Sequence, residues 1–157
     1  MEPLAWDARG VLYSLWTDLK GIWLARSLDQ GATWATWHLA ESPDVAYYPY
    51  LVARGLGELA ATWFSGSLGT WKAHVARIDV GEGEAPPRMV EAPPFNPDSW
   101  RQNRQWPEDP QTPDTAGEYL ALAFLRNGGL VVVSPIQNKQ EKRFGFSLWK
   151  VEEGRGK

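Results

Sequence analysis

The stretch SLDQGATW, residues 27–34, carries the strongest fold signal in the chain. Five of its positions are turn-forming or turn-anchoring residue types: Ser27, Asp29, Gly31, Thr33 and Trp34. Asp29 is short enough to accept hydrogen bonds from backbone N–H groups one or two residues further on, which closes an Asx-type turn. Gly31 takes a left-handed conformation without steric cost, and Trp34 is an apolar plate that packs beneath such a turn. The stretch therefore predicts a tight turn that its own side chains hold.

Short apolar runs flank this turn and recur along the chain. The runs GIWLARS (21–27) and ATWHLA (35–40) predict two strands that the turn connects. Three further stretches each hold an apolar run, a Gly-containing turn and a second apolar run: residues 4–16, 51–64 and 122–136. Each of these predicts a β-hairpin in which Gly supplies a positive φ. A third strand is predicted after each hairpin, at residues 21–27, 73–79 and 143–149.

The hairpin-plus-strand units form an internal repeat. The first spacing between units is close to the roughly 40–50 residues of a β-propeller blade. We therefore predict an all-β chain, with residues 1–157 as one partial propeller domain. Its blades are expected at three ranges: residues 1–46, 47–80 and 117–157. The segment 81–116 holds most of the 12 Pro residues and predicts a long surface loop rather than a regular strand or helix. A β-sandwich is the alternative all-β architecture.

The composition excludes several functional classes. The 157 residues fit one domain, and 10 Trp with 15 Gly favour an all-β protein. A net charge of -3 provides no basic field for nucleic acid or an anionic membrane. The absence of Cys excludes disulfides and thiolate chemistry. The start MEPLAWDARG lacks the features of a secretory signal, and no run reaches the ~20 apolar residues of a membrane helix, so a cytoplasmic location is the default expectation.

The pattern Ser-x-Asp-x-Gly-x-Thr-Trp of residues 27–34 resembles the Asp-box, or BNR repeat, of the sialidase-like six-bladed β-propellers. In that family the Asp-box lies at the turn between the third and fourth strands of a blade. It sits at the blade periphery, away from the catalytic face. The resemblance therefore implies that Asp29 holds a turn and is not a general acid. It also implies that the chain corresponds to the C-terminal half of such a propeller.

The stretch GEYLALAFLRNGGLVVVSPIQNKQEKRFGFSLW (117–149) is similar to the last catalytic blade of the sialidases. The resemblance places Tyr119 at the position of the nucleophile, which in this family replaces the usual carboxylate. The Glu expected after the second strand is absent around Ser134 and Pro135. The alternative for Tyr119 is a packed blade residue whose hydroxyl finds a partner.

The resemblance also suggests substrate-binding residues in the Pro-rich segment. A sialidase holds its substrate carboxylate with guanidinium groups, which form bidentate charge-assisted bonds. The candidates for this role are Arg88, Arg101 and Arg104. Two aromatic residues of the segment are candidates for stacking on sugar rings, or else for closing the loop onto the propeller face: Trp100 and Trp106.

No cofactor or metal is expected. His38 and His74 have no ligand partners at metal-site spacing and are predicted to be strand residues. Lys139, Lys142 and Arg143 are interpreted as a solvated hairpin tip.

Two functional hypotheses follow from these features of the sequence. The first is an exo-sialidase type of glycoside hydrolase that acts on sialic-acid-like glycans, with Tyr119 as its catalytic residue. The second is a non-catalytic propeller module that binds glycan or protein, which the missing Glu favours.

The three predicted repeats are too few for a closed ring, because a propeller typically has 4–8 blades. Either further blades lie elsewhere, or a second chain completes the ring, or three sheets close on themselves.

Overall fold

A computed structural model of the chain describes residues 2–66, 72–94, 120–138 and 143–151. Within these ranges the chain forms β-strands and no helix, and none of the described segments is a helix that could cross a membrane. The first sheet contains β1 (Leu4–Trp6), β2 (Leu12–Thr17), β3 (Gly21–Ser27) and β4 (Ala35–Glu41). The second sheet contains β5 (Ala46–Arg54), β6 (Glu58–Ser65), β7 (Lys72–Asp79) and β8 (Arg88–Glu91). The third sheet contains β9 (Ala121–Phe124), β10 (Leu130–Asn138) and β11 (Arg143–Val151).

All three sheets are antiparallel, and neighbouring strands follow one another along the chain. The strand orders are β1-β2-β3-β4, β5-β6-β7-β8 and β11-β10-β9. The prediction of an all-β chain is therefore confirmed, as are the three hairpins and the third strand after each. The turn at residues 27–34 connects β3 to β4, as predicted. The described strands form separate open sheets.

The Pro-rich segment contains a strand that was not predicted from the sequence. The prediction of a loop is wrong for Arg88–Glu91, which forms β8 and pairs with β7 from Asp79↔Arg88 to Ala76↔Glu91. The prolines lie outside these four residues, at Pro87 and Pro93, so every strand residue keeps its N–H group. Strands at sheet edges tolerate flanking proline because only one side needs hydrogen bonds. The second sheet thus runs from residue 46 to residue 91.

The second sheet lies between the other two and is covered on both faces. One buried cluster joins it to the first sheet, and its largest members include Tyr13, Leu15, Leu24, Leu59, Trp63 and Ile78. A second cluster joins it to the third sheet, with members that include Phe64, Val75, Leu122, Leu130 and Val132. Successive strand residues point to opposite faces, so burial on both sides explains why nearly all of β6 is buried.

The arginine shared by the first two repeats connects each sheet to the next part of the fold. Arg26 on β3 is buried and donates from Nη1 to the Gly81 carbonyl at 2.7 Å and from Nη2 to the Gly83 carbonyl at 3.0 Å. Arg77 on β7 donates in the same way to the Gly128 carbonyl in the β9–β10 turn. Leu24-Ala25-Arg26 on β3 and Val75-Ala76-Arg77 on β7 share an apolar-Ala-Arg pattern, and in both cases the arginine donates to backbone carbonyls beyond its own sheet.

Candidate functional site

The turn at residues 27–34, which we call the Asp-box turn after the motif it resembles, is stabilised almost entirely by its own side chains. Asp29 accepts hydrogen bonds from the Thr33 hydroxyl at 2.7 Å and from the Thr33 N–H at 2.8 Å. The Ser27 hydroxyl donates to Asp29 at 2.8 Å and accepts from the Gly31 N–H at 2.7 Å. These hydrogen bonds lower the pKa of Asp29 to about 2, and those from Thr33 contribute most. Trp34 donates its indole N–H to the Gly31 carbonyl at 3.0 Å and lies against the turn, although the residue is 40% exposed.

A cleft of about 240 Å³ lies at the other end of β3. We call it the tyrosine cleft; it is lined by Glu2, Trp16, Thr17, Leu19, Ala46, Tyr47, Tyr48 and Pro49. The β2–β3 turn contributes Leu19 to it, whereas the Asp-box follows Ser27 at the opposite end of β3. Because β3 has 7 residues and a strand rises about 3.3 Å per residue, roughly 20 Å separates the two ends. The Asp-box and the cleft are therefore distinct places in the fold.

The β2–β3 turn is fixed by Asp18. Its carboxylate accepts hydrogen bonds from the N–H groups of Lys20 at 3.1 Å and Gly21 at 2.8 Å, and from the indole N–H of Trp23 at 3.0 Å. These bonds, that from Lys20 first, lower the pKa of Asp18. The turn holds Leu19 at the cleft with φ of 73°.

Two contacts tie this turn to the start of β5. The Ala46 N–H donates to the Leu19 carbonyl at 3.2 Å, and the Thr17 hydroxyl donates to the Ala46 carbonyl at 2.9 Å. Just beyond Ala46, the β5–β6 register shifts between Tyr47 and Tyr50, and Tyr48 takes φ of 50°. A bulge of this kind redirects side chains, and here it places the rings of Tyr47 and Tyr48 with centroids 6.0 Å apart.

Backbone strain is concentrated at this cleft. Among the described residues, three that are not glycine have positive φ: Leu19, Gln30 and Tyr48. Two of the three line the tyrosine cleft. Left-handed backbone costs an L-residue with a Cβ roughly 1–2 kcal/mol, and such strain clusters at binding and catalytic sites. The strain therefore marks the cleft as a candidate functional site.

A second cleft, of about 400 Å³, lies on the outer face of the first sheet. It shares Glu2 and Trp16 with the tyrosine cleft and is otherwise lined by Leu4, Ser14, Ala25, Trp34 and Thr36. Trp16 stacks on Trp23 with ring centroids 6.2 Å apart. Leu4 pairs with Ser14, which lines the cleft, and Trp6 lies two residues further along β1. Leu4 and Trp6 therefore face the same side of the sheet as the cleft, and both are exposed. This outer face is thus apolar and rich in tryptophan.

The residues expected from the sialidase resemblance are mostly not part of these clefts. Arg88 is exposed at the start of β8 and is not among the residues that line either cleft. Five candidates lie outside the described residues: Trp100, Arg101, Arg104, Trp106 and Tyr119. Lys139 and Lys142 also lie outside them, and Arg143 begins β11.

Both histidines lie on strands, as predicted, His38 on β4 and His74 on β7. In the part of the chain that the structure describes, no three His, Cys, Asp or Glu side chains are grouped as metal ligands would be.

The tyrosine cleft was not predicted from the sequence. The doublet Tyr47-Tyr48 before Pro49 was the available signal, since adjacent tyrosines in a strand normally face opposite sides of the sheet.

Comparison with known proteins adds no relative to this picture. No protein-family model matches the chain, and neither a curated protein nor a solved structure matches it. The resemblance to sialidase-like propellers therefore depends on the Asp-box, the repeat and the similarity of residues 117–149 to a catalytic blade.

Proposed function

We propose that this chain is a glycan-binding module of the Asp-box type and that the tyrosine cleft holds the sugar. The observation that carries the proposal is the strained pair Leu19 and Tyr48, which faces one cleft from two different sheets. Strain of this kind persists only where the surrounding structure enforces it, and it is a common feature of ligand sites.

The chemistry of the cleft suits a sugar ring. Trp16, Tyr47 and Tyr48 offer aromatic surface for the apolar C–H faces of a pyranose, and Glu2 offers a carboxylate for its hydroxyl groups. The volume of about 240 Å³ is below the 300–1,000 Å³ that is usual for drug-sized ligands. A single sugar residue at the end of a longer glycan is therefore the ligand size we expect.

We further propose that the three sheets are blades of a sialidase-like six-bladed propeller. The four-stranded meander order of the first two sheets supports this proposal, and so does the stacking of all three sheets face to face. The Asp-box also connects the third strand to the fourth, where that family has it. In such a ring the tryptophan-rich outer face of the first sheet packs against another sheet, which a second copy of this chain supplies.

Glycan binding is tested by screening a glycan array with the intact chain and measuring the affinity of the best ligand by calorimetry. We expect Tyr47→Ala to weaken binding at least tenfold, because it removes a ring from the cleft. Val90→Ala is the matched control, since Val90 is an exposed apolar residue on β8, outside the cleft. A ligand whose affinity is the same in both variants would place the glycan site elsewhere, and failure to bind any glycan would refute the proposal.

The ring is tested by measuring the native mass with size-exclusion chromatography and light scattering. A dimer that dissociates in Trp6→Glu, with the monomer still folded, would support closure by two copies through the outer face. A monomer with cooperative unfolding would rule out that closure.

Hydrolysis of sialosides is the second candidate function, because the Asp-box and the position of Tyr119 both resemble the sialidases. Turnover of a fluorogenic sialoside that is lost in Tyr119→Phe would establish this activity and would contradict a purely binding role. The absence of turnover alongside glycan binding would favour the binding module.

A further inference from the structure

Three side chains from successive strands of the second sheet form a hydrogen-bonded row. Ser65 ends β6, His74 lies near the start of β7, and Glu91 ends β8. The Ser65 hydroxyl oxygen lies 2.7 Å from His74 Nε2, and His74 Nδ1 lies 2.6 Å from Glu91 Oε1. Both ring nitrogens of His74 are therefore engaged, each by a different partner.

The chemistry of the partners assigns the protons in this row. A carboxylate only accepts hydrogen bonds, so Nδ1 carries the proton and donates it to Glu91. In the neutral imidazole Nε2 is then an acceptor, and it receives the hydrogen bond of the Ser65 hydroxyl. This is the protonation that a histidine needs to take a proton from a serine.

The imidazole is also held in place by packing. The ring of Trp63 lies parallel to that of His74, with centroids 5.0 Å apart and planes 5° from parallel. The His74 side chain is 13% exposed and the Glu91 side chain 29%, so the pair is partly shielded from water. General base catalysis requires a base positioned within hydrogen-bond reach of the proton it takes, and the 2.7 Å between His74 Nε2 and the Ser65 hydroxyl oxygen meets this condition.

Ser65 lies next to the tyrosine cleft. It pairs across the β5–β6 ladder with Ala46, which lines that cleft, and neighbouring strands are about 4.8 Å apart. Ser65 itself is 3% exposed, and the cleft is the cavity nearest to it along this ladder.

We propose that Ser65 is a nucleophile for acyl transfer, with His74 as its general base and Glu91 as the positioning residue. This activity goes beyond glycan binding, and its substrate class is a small carboxylic ester. The Ser65 oxygen bonds to the ester carbonyl carbon while its proton moves to His74 Nε2. The C–O bond to the alcohol then breaks, and the alcohol leaves with that proton.

Water completes the reaction. It gives one proton to His74 Nε2 and attacks the acyl-Ser65 carbonyl carbon. The bond from that carbon to the Ser65 oxygen breaks, the serine recovers its proton from His74, and a carboxylic acid is released. Neither oxidant nor cofactor enters the balance.

The test is covalent labelling of the intact chain with a small alkyl fluorophosphonate, which forms an O–P bond with an activated serine and releases fluoride. Mass spectrometry of the whole chain and of its peptides then counts the adducts and locates them. We expect one adduct, on Ser65, and hydrolysis of p-nitrophenyl acetate that the label abolishes. Ser14→Ala is the matched control and should be labelled on Ser65 like the wild type. Ser14 is also a buried serine on a strand, and it lines the outer cleft.

Variants of the other two residues separate catalysis from structure. We expect His74→Gln to slow labelling by roughly 10²–10⁴-fold, the range of a lost general base. Glu91→Gln should also slow it, with partial recovery in Glu91→Asp, since a shorter carboxylate still orients the imidazole. Circular dichroism melting is measured on each variant to establish that it is folded.

The proposal is overturned if the folded wild-type chain acquires no adduct on Ser65, whatever the variants do. It is equally overturned if labelling occurs on another serine alone, or if folded His74→Gln labels as fast as the wild type. In those cases the row serves to hold β6, β7 and β8 together. None of these outcomes depends on whether the cleft binds a glycan.

Discussion

Asp7 accepts a hydrogen bond from the backbone N–H of Gly57 at 2.9 Å, across 50 residues of sequence. The contact joins the β1–β2 turn of the first sheet to the β5–β6 turn of the second. The same buried carboxylate accepts hydrogen bonds from the Val11 N–H at 3.1 Å, the Arg9 N–H at 2.8 Å and the Tyr13 hydroxyl at 3.1 Å. Burial by itself would raise the pKa of Asp7, but these hydrogen bonds outweigh it and the pKa is lowered.

Replacing Asp7 should destabilise the chain strongly. Asp7→Ala leaves buried N–H groups of Val11 and Gly57 and the Tyr13 hydroxyl without an acceptor, and each such group costs about 1–3 kcal/mol. We expect the free energy of unfolding in urea to fall by about 3 kcal/mol or more. Asp44→Ala, at an exposed position, is the control and should change it by less than about 0.5 kcal/mol. Equal effects of the two variants would contradict the role of Asp7.

Gly57 should tolerate no side chain. Its φ is 81°, and a Cβ placed on it would lie 2.2 Å from the Val80 carbonyl oxygen, which is backbone. Gly10 has a similar φ of 77° but open space around its missing Cβ, so Gly10→Ala measures the conformational strain alone. We expect Gly10→Ala to cost about 1–2 kcal/mol of unfolding free energy. Gly57→Ala should cost clearly more, and a cost no larger than that of Gly10→Ala would show that the second sheet shifts without penalty.

The Asp-box should stabilise the chain in a pH-dependent way. The pKa of Asp29 is lowered from 3.8 to about 2, so its contribution to stability is complete above the unfolded value and is lost as the pH falls from 3.8 towards 2. We expect Asp29→Asn to lower the melting temperature by a few degrees at neutral pH. The difference from the wild type should shrink as the pH falls below about 4.

Two further measurements check this prediction. An NMR titration of the Asp29 carboxyl should give a pKa near 2, and Thr33→Val should move it upwards, because Thr33 supplies the largest lowering contribution. Glycan affinity should be unchanged in Asp29→Ala, since the Asp-box and the tyrosine cleft lie at opposite ends of β3. A large loss of affinity without loss of stability would contradict a purely structural Asp29.

The strain at Leu19 should be removable at the expense of binding. Leu19 has φ of 73°, a region that Asn tolerates better than Leu. We expect Leu19→Asn to raise the free energy of unfolding by up to about 1 kcal/mol and to weaken glycan binding. Leu28→Asn is the control at an exposed leucine that has no positive φ, and it should bring no gain. A variant at Leu19 that gains stability without losing affinity would separate the strain from the binding site.

Most of the strand layout was predictable from sequence because its signals are local. Alternating apolar runs and the glycines between them indicate the hairpins, since a strand needs only a few residues to express its period. The strand Arg88–Glu91 was not predictable in this way. This strand lies between prolines, and its extended conformation is stabilised by the hydrogen bonds that it forms with β7.

The Asp-box turn was determined by the sequence alone, because its polar donors and acceptors all lie within residues 27–34. The tyrosine cleft and the row of Ser65, His74 and Glu91 were decided by the tertiary structure. Ser65 and Glu91 contact one imidazole only because β6, β7 and β8 pair in one register. Likewise, Leu19 and Tyr48 line one cleft because the first and second sheets pack together, and the hydrogen bond from the Ala46 N–H to the Leu19 carbonyl ties the β2–β3 turn to the start of β5.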